Sequence, residues 1–189
     1  KSSNAIGVLV NDVSAPFFGS MIKAIDTVAS EQEKQLLIGS GYHDATKERN
    51  AINLLINSRC ESLVVHSKGI NDEELVKLAN EVPGMVLINR IVPDIENRCI
   101  ALDNRRGSYI ATEHLIKNGH KHIGYICSSH NIEDAHDRLG GYLDALKEYG
   151  IESNDEYIEY GEPDELGGEQ AMVNLMAKNT DITAIATYN

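Results

Sequence analysis

The sequence predicts an α/β protein made of two doubly wound parallel-sheet lobes, the second of them truncated. Short apolar runs alternate with segments of helical period along the whole chain, the pattern of repeated β-α units. Most of these runs are continuously apolar, as strands covered on both faces require. The alternation breaks once: Val92 to Leu102 holds two extended runs with no helix between them. That break places the lobe boundary, giving residues 1–102 as the N-terminal lobe and 103–189 as a partial C-terminal lobe.

The expected strands are Ala5 to Val10, Gln35 to Ile38, Ser62 to Val65, Met85 to Ile88, Cys99 to Leu102, His122 to Cys127, Tyr157 to Tyr160 and Ile182 to Thr187. After the first, Phe18, Met21, Ile22, Ile25, Val28 and Ala29 fall on one stripe of an amphipathic helix. Pro16 suits its first turn, and Ser14 is expected to cap it. Ala51, Ile52, Leu55 and Ile56 mark the second helix. Asn71 with Glu74 three residues on reads as a variant capping box ahead of Leu75, Leu78, Ala79 and Val82. Ile110, Ala111, His114 and Leu115 are expected to form the inner face of a fourth helix, stopped by Asn118 and Gly119. Leu139, Tyr142, Leu143 and Leu146 mark a fifth helix ending at Gly150, and Ala171, Met172, Leu175 and Met176 a sixth. The last apolar run is followed only by Tyr188 and Asn189, so the chain reads as a fragment whose second sheet lacks a covering helix.

Composition narrows the function classes. Seventeen Lys and Arg against 29 Asp and Glu give a formal charge of −12, which argues against nucleic acid or an anionic membrane as this segment's own partner. Hydrophobic residues make up 42%, enough for a core, and with aromatics at 5% and no Trp that core must be aliphatic. No apolar run approaches the ~18–20 residues of a bilayer span. Lys1 opens onto Ser2-Ser3-Asn4 rather than onto an apolar leader, and Cys60, Cys99 and Cys127 are isolated and odd in number. Reduced thiols and a cytoplasmic location are therefore expected. There is no G-x-S-x-G elbow, phosphate-cradling P-loop or G-x-G-x-x-G fingerprint. His120-Lys121-His122 lacks a third metal ligand, and no carboxylate pair marks an acid and a base. The expectation is a binding protein with no cofactor and no metal, not an enzyme.

In open α/β sheets ligands bind beyond the carboxyl ends of the strands. The residues at those points are Asn11 and Asp12, Tyr42 and His43, His66, Asn89 and Arg90, Asp103, Ser128 to His130, Glu162 and Asn189. Amides, hydroxyls, imidazoles and a few charges suit a neutral polyhydroxylated ligand, whose hydroxyls both donate and accept. Phe17 and Phe18 sit where the first strand turns into the first helix. Phe18 lies on the apolar stripe and is expected in the core; Phe17 is off it and free to pack on the C–H face of a sugar ring or on a flat base. Arg138, in Asp134-Ala135-His136-Asp137-Arg138, is either a surface ion-pair partner or a fork of donors aimed at a ligand.

These features together resemble the effector-binding core of the lactose/galactose repressor family of bacterial transcription regulators, and within it the galactose-responsive branch. The resemblance rests on Ile6-Gly7-Val8-Leu9-Val10 with Pro16-Phe17-Phe18, on Leu37-Ile38-Gly39-Ser40-Gly41-Tyr42-His43, and on Val86-Leu87-Ile88-Asn89-Arg90. Ala101-Leu102-Asp103-Asn104, Gly119-His120 with Ile123-Gly124-Tyr125, and Arg138-Leu139-x-Gly141-Tyr142 complete it. It implies the two-lobed periplasmic-binding-protein-like fold with a galactose-like sugar held between the lobes. It also implies a homodimer in the cytoplasm, and operator DNA bound only through a helix-turn-helix headpiece absent from this sequence. The effector residues it implies are Asp12, Phe17, Phe18, His66, Asn89 (where the family usually has Asp), Asp103, Arg138 and Asn189. A sugar-binding protein for transport or chemoreception is the alternative of the same architecture, and a small α/β enzyme a more distant one.

Overall fold

The computed structural model describes residues 4–178 and 181–189. The chain divides into two compact units, Lys1–Ala101 and Leu102–Asn189.

The first unit runs β1 (Ala5–Val10), α1 (Pro16–Glu31), β2 (Gln35–Ser40), α2 (Ala45–Asn57), β3 (Ser62–Val65), α3 (Asp72–Glu81), β4 (Met85–Ile88) and β5 (Cys99–Ile100), with a 3-10 turn over Pro93–Arg98. All strands are parallel, in the order β2-β1-β3-β4-β5. β1 lies inside the sheet, which is why Val8, Leu9 and Val10 can be apolar in succession: none keeps any exposed surface. Val8 and Val10 face α1 through Phe18, whereas Leu9 joins Ile52, Leu55, Leu63, Val65, Leu75 and Leu87 beneath α2 and α3. With helices on both faces, this is the doubly wound arrangement the alternation predicts.

The second unit contains α4 (Asn104–Lys117), β6 (Ile123–Ser128), α5 (Glu133–Glu148), β7 (Ile158–Gly161), α6 (Glu165–Lys178) and β8 (Ala184–Thr187). Its parallel strands are ordered β7-β6-β8. Tyr125, stacked on Tyr142 at a centroid distance of 4.9 Å, fills the α4/α5 side. On the other side Gly124 leaves room for Leu175 of α6: a Cβ there would lie 2.8 Å from the Leu175 side chain.

Several local expectations need correction. Ser14 does not cap α1; the N-cap is Ala15, without a side-chain bond, and the Ser14 hydroxyl donates instead to the Asp12 carboxylate. Pro16 does sit in the first turn. Val28 is 62% exposed although it lies on the α1 stripe, because α1 covers only a narrow strip of sheet. β2 is an edge strand, with Leu37 and Ile38 largely exposed, so continuous apolarity there does not mean cover on both faces. Asn71 caps α3 through the Glu74 amide, but the Glu74 carboxylate pairs with Arg49 rather than closing the box. β5 ends at Ile100, Tyr157 belongs to a 3-10 turn before β7, and β8 starts two residues late. Met172 and Met176 stay exposed on α6, whose buried residues are Ala171 and Leu175.

The inner face of α4 departs furthest from the expected stripe, of which Leu115 packs against the core. Ile110 is 49% exposed, and Ala111 and His114 face outward; Tyr109 and Thr112 are the buried pair. The cause is the α4–α5 crossing. A Cβ on Gly141 would lie 2.0 Å from the Arg105 carbonyl oxygen, so the two backbones meet there with no side chain between them. That contact turns Tyr109 and Thr112 inward, and Thr112 is buried with its hydroxyl donating to the Ser108 carbonyl.

Replacing Gly141 with Ala should force α4 and α5 apart and destabilise the protein by about 2 kcal/mol or more, within the range for overpacked sites. Urea unfolding of Gly141→Ala beside Gly107→Ala, whose added methyl meets nothing within 4 Å, measures the difference.

Candidate functional site

The first polar residues beyond the carboxyl ends of β1, β3 and β4 are Asn11, His66 and Asn89, and they gather at one end of the first sheet. His66 is 3% exposed and packs edge-on against Phe18 at 4.8 Å, with the His43 ring at 5.8 Å. Phe17 meets Phe18 edge-on at 5.2 Å and stays 54% exposed, so the pair gives a buried and an open aromatic surface. The Asn89 amide nitrogen lies 3.4 Å from His66 Nδ1. With that amide donating, the ring proton sits on Nε2, which is buried and has no hydrogen-bond partner among the described residues. The buried Asn11 Oδ1 has none either. Burial, then the nearby charges of Lys68 and His43, lower the His66 pKa to about 3, so the imidazole stays neutral. Tyr42, His43 and Asn89 all adopt left-handed backbone conformations (φ 52°, 55° and 59°), as Asn4, Glu33 and Arg59 do at turns elsewhere.

The loop behind this cluster is tied down from both sides. The buried Glu48 carboxylate accepts from the Ser67 hydroxyl and from the backbone amides of Lys68, Gly69 and Ile70. Arg90 donates to the carbonyls of Ser67 and Ile70 and pairs with Asp72, which gives this residue a structural role. Asp12 is also occupied: it accepts from the amide and hydroxyl of Ser14, and the backbone bond first, then the hydroxyl, hold its carboxyl below the usual range.

In the second unit Arg138, half-buried on α5, donates from Nε to the Asn104 side chain at 2.9 Å and from Nη1 to the Tyr188 carbonyl at 2.6 Å. Its guanidinium lies 4.5 Å over the Tyr188 ring, just past the carboxyl end of β8. Both bonds go to neutral oxygens, so this guanidinium is engaged well beyond a surface ion pair. Asp103, immediately before Asn104, caps α4 through the Arg106 amide. Asp134 is buried in the first turn of the same α5. Ser128, Glu162 and Asn189 line an open cavity of about 370 Å³ at the carboxyl ends of β6, β7 and β8. There Glu162 accepts from Ser129 and lies 2.8 Å from His130, which lowers its pKa, while the Asn189 amide donates to the Pro163 carbonyl.

Residues 3–189 match the family described as periplasmic binding proteins and the sugar binding domain of the LacI family. The chain belongs to this family. Over all 189 residues it is 56% identical to the HTH-type transcriptional regulator GalR of Escherichia coli K12, and over 187 residues 51% identical to the regulator GalS of Salmonella typhimurium LT2. It spans about half the length of these curated relatives, 55% of each. A crystal structure of a sugar-binding LacI-family regulator from E. coli, complexed with phosphate, superposes with a TM-score of 0.84 at 25% identity, covering 99% of this chain and 68% of its own.

Of the effector residues expected from resemblance to this LacI-type family, Phe17, Phe18, His66 and Asn89 come together in the first unit, with Asp12 in the adjoining turn. In the second unit Arg138 reaches Tyr188, the neighbour of Asn189, and Asn104, the neighbour of Asp103. Asn11 and His43 stand among the strand-end residues of the sequence, but neither was singled out; the structure marks Asn11 by its unpartnered buried oxygen and His43 by its left-handed backbone. Tyr188 was missed, since only its contact with Arg138 draws attention to it. Among the described residues no cluster of three metal-ligating side chains exists, and no helix is long and apolar enough to cross a membrane.

His66 supplies a pH signature. Its folded pKa lies below the ordinary histidine value, so the unfolded chain binds the extra proton and stability falls as pH drops from about 6.5 toward 3, by at most about 1.4 kcal/mol per pH unit. Histidine NMR should show His66 neutral throughout pH 5–8. His66→Phe should flatten the acid limb of the stability curve.

Proposed function

We propose that the chain is the sugar-binding effector domain of a bacterial DNA-binding transcriptional repressor, responding to D-galactose or a related monosaccharide. The observation that carries this reading is the uncharged polar set of the first unit: a neutral imidazole, the Asn89 amide and the Asn11 amide beside the Phe17–Phe18 pair. Such a set exchanges hydrogen bonds with hydroxyls while an aromatic face meets the sugar's C–H groups, and it offers no charge to an ionic ligand. In the second unit, Arg138 and Asn189 present donors at that unit's own strand ends. Buried polar groups left unpaired by the wrong epimer would supply specificity.

In the whole protein, sugar that binds one arrangement of the effector domain more tightly than another shifts that equilibrium, and affinity for operator DNA changes with it. The DNA contact belongs to a helix-turn-helix headpiece, and the working form is a cytoplasmic homodimer. The family also holds periplasmic binding proteins, so a transport or chemoreception role is the second reading. A DNA-binding headpiece in the intact protein decides for the regulator, a secretory leader for the alternative.

Calorimetric titration of the intact protein with galactose, glucose, fucose and ribose tests the substrate class, and galactose should bind most tightly. Arg138→Ala should weaken galactose by about 10- to 100-fold, the scale of a lost charged hydrogen bond, while operator binding without sugar persists. Unchanged galactose affinity would remove Arg138 from the site.

A further inference from the structure

We propose that Glu48 is a positioning residue for sugar recognition: it fixes His66 and Asn89 by holding the loop from Ser67 to Ile70. The inference rests on the sugar reading above and names a residue that does not itself touch sugar.

Glu48 lies in the first turn of α2 and is 1% exposed. One carboxylate receives the Ser67 hydroxyl at 2.5 Å and the amides of Lys68 at 3.0 Å and of Gly69 and Ile70 at 3.1 Å. Four consecutive residues are thus anchored to a single side chain. The approach is close: a Cβ on Gly69 would lie 2.5 Å from the Ala45 amide nitrogen, so only glycine lets the loop press against the start of α2.

Both ends of this arrangement lead to the candidate site. His66 directly precedes the anchored loop. Lys68, inside the loop, donates its ammonium to the Asn89 carbonyl, and the Asn89 amide in turn meets His66 Nδ1. Arg90, next to Asn89, bonds the Ser67 and Ile70 carbonyls from the other side. Glu48 therefore bears on the two polar groups of the site through two routes, one along the chain and one through Lys68. Carrying a carboxylate into the interior costs solvation that an apolar residue would avoid. Four converging donors offset that cost, and what they specify is the position of a loop rather than the packing of a core. Only a group with acceptors alone can serve here, since an amide would turn its NH₂ toward backbone N–H donors.

The test compares Glu48→Gln with Ile52→Val, a core change one turn along the same helix, in the intact protein. Melting temperature, galactose affinity by calorimetry, and the His66 titration by histidine NMR without sugar are recorded for each. The charged and titratable groups facing His66 are Lys68 and His43, so the titration reports their placement as well. Glu48→Gln should weaken galactose at least tenfold and let His66 begin to protonate between pH 5 and 7. Ile52→Val should lower the melting temperature and leave affinity and titration at wild-type values. Wild-type affinity and titration in Glu48→Gln overturn the proposal, as does an equal loss of affinity in both variants. Should Glu48→Gln fail to fold, Ser67→Ala removes one donor and leaves the carboxylate; a shift of the His66 signal with a weakening of about threefold supports the proposal, and no change overturns it. If the wild type binds none of the four sugars, the sugar reading fails, and the His66 titration alone decides whether Glu48 positions the cluster.

Discussion

A parallel strand covered on both faces has no room for a polar side chain, and most of the chemistry of this protein follows from that constraint. β1 is apolar throughout and β3 is apolar after Ser62, and Asn11 and His66 follow immediately, while β6 ends on Ser128. Each unit therefore concentrates its hydrogen-bonding groups at one end of its sheet. The floor beneath them is apolar because the strand ends are, and in the first unit Phe18 continues that floor from α1 to His66. The result is a water-poor base under a polar rim, where a hydrogen bond to a neutral ligand counts for more than it would in solvent.

The polar groups at the strand ends divide into two kinds. Asp12, Glu48, Arg90 and Asp103 are consumed by the fold: their bonds go to turn amides, loop amides, loop carbonyls and a helix start. Asn11 and His66 retain buried atoms with no partner among the described residues, and Arg138 bonds neutral oxygens through Nε and Nη1. The charged residues are mostly of the first kind. That division makes the first unit's set nearly neutral in a chain of net charge −12, and it distinguishes a site for hydroxyls from a site for ions.

The strand cores, the helices and the parallel topology were legible in the sequence because they follow from periodicity and from capping residues such as Asn71 and Gly119. What periodicity could not show was rotation and rank within the sheet. The helical wheel of α4 points to Ile110, yet contact with a glycine on α5 brings Tyr109 inward. β2 reads like β1 but lies at an edge. For the candidate site, the rule that ligands sit beyond strand ends includes Asn11, His66 and Asn89 in its set without any family knowledge, whereas Arg138 needs the resemblance to stand out from other helical arginines. Glu48 was invisible: a Glu among Thr46, Lys47 and Arg49 reads as solvated surface, and only the folded loop shows where its carboxylate goes.

The left-handed backbone at Asn89 restricts how this position can change over time. β-Branched and bulky residues are strained in that conformation, while Asn, Asp and Gly tolerate it. Exchanging Asn for Asp alters charge with almost no change in shape or backbone preference, so the candidate site can gain or lose a charge at this point without the chain being refolded around it.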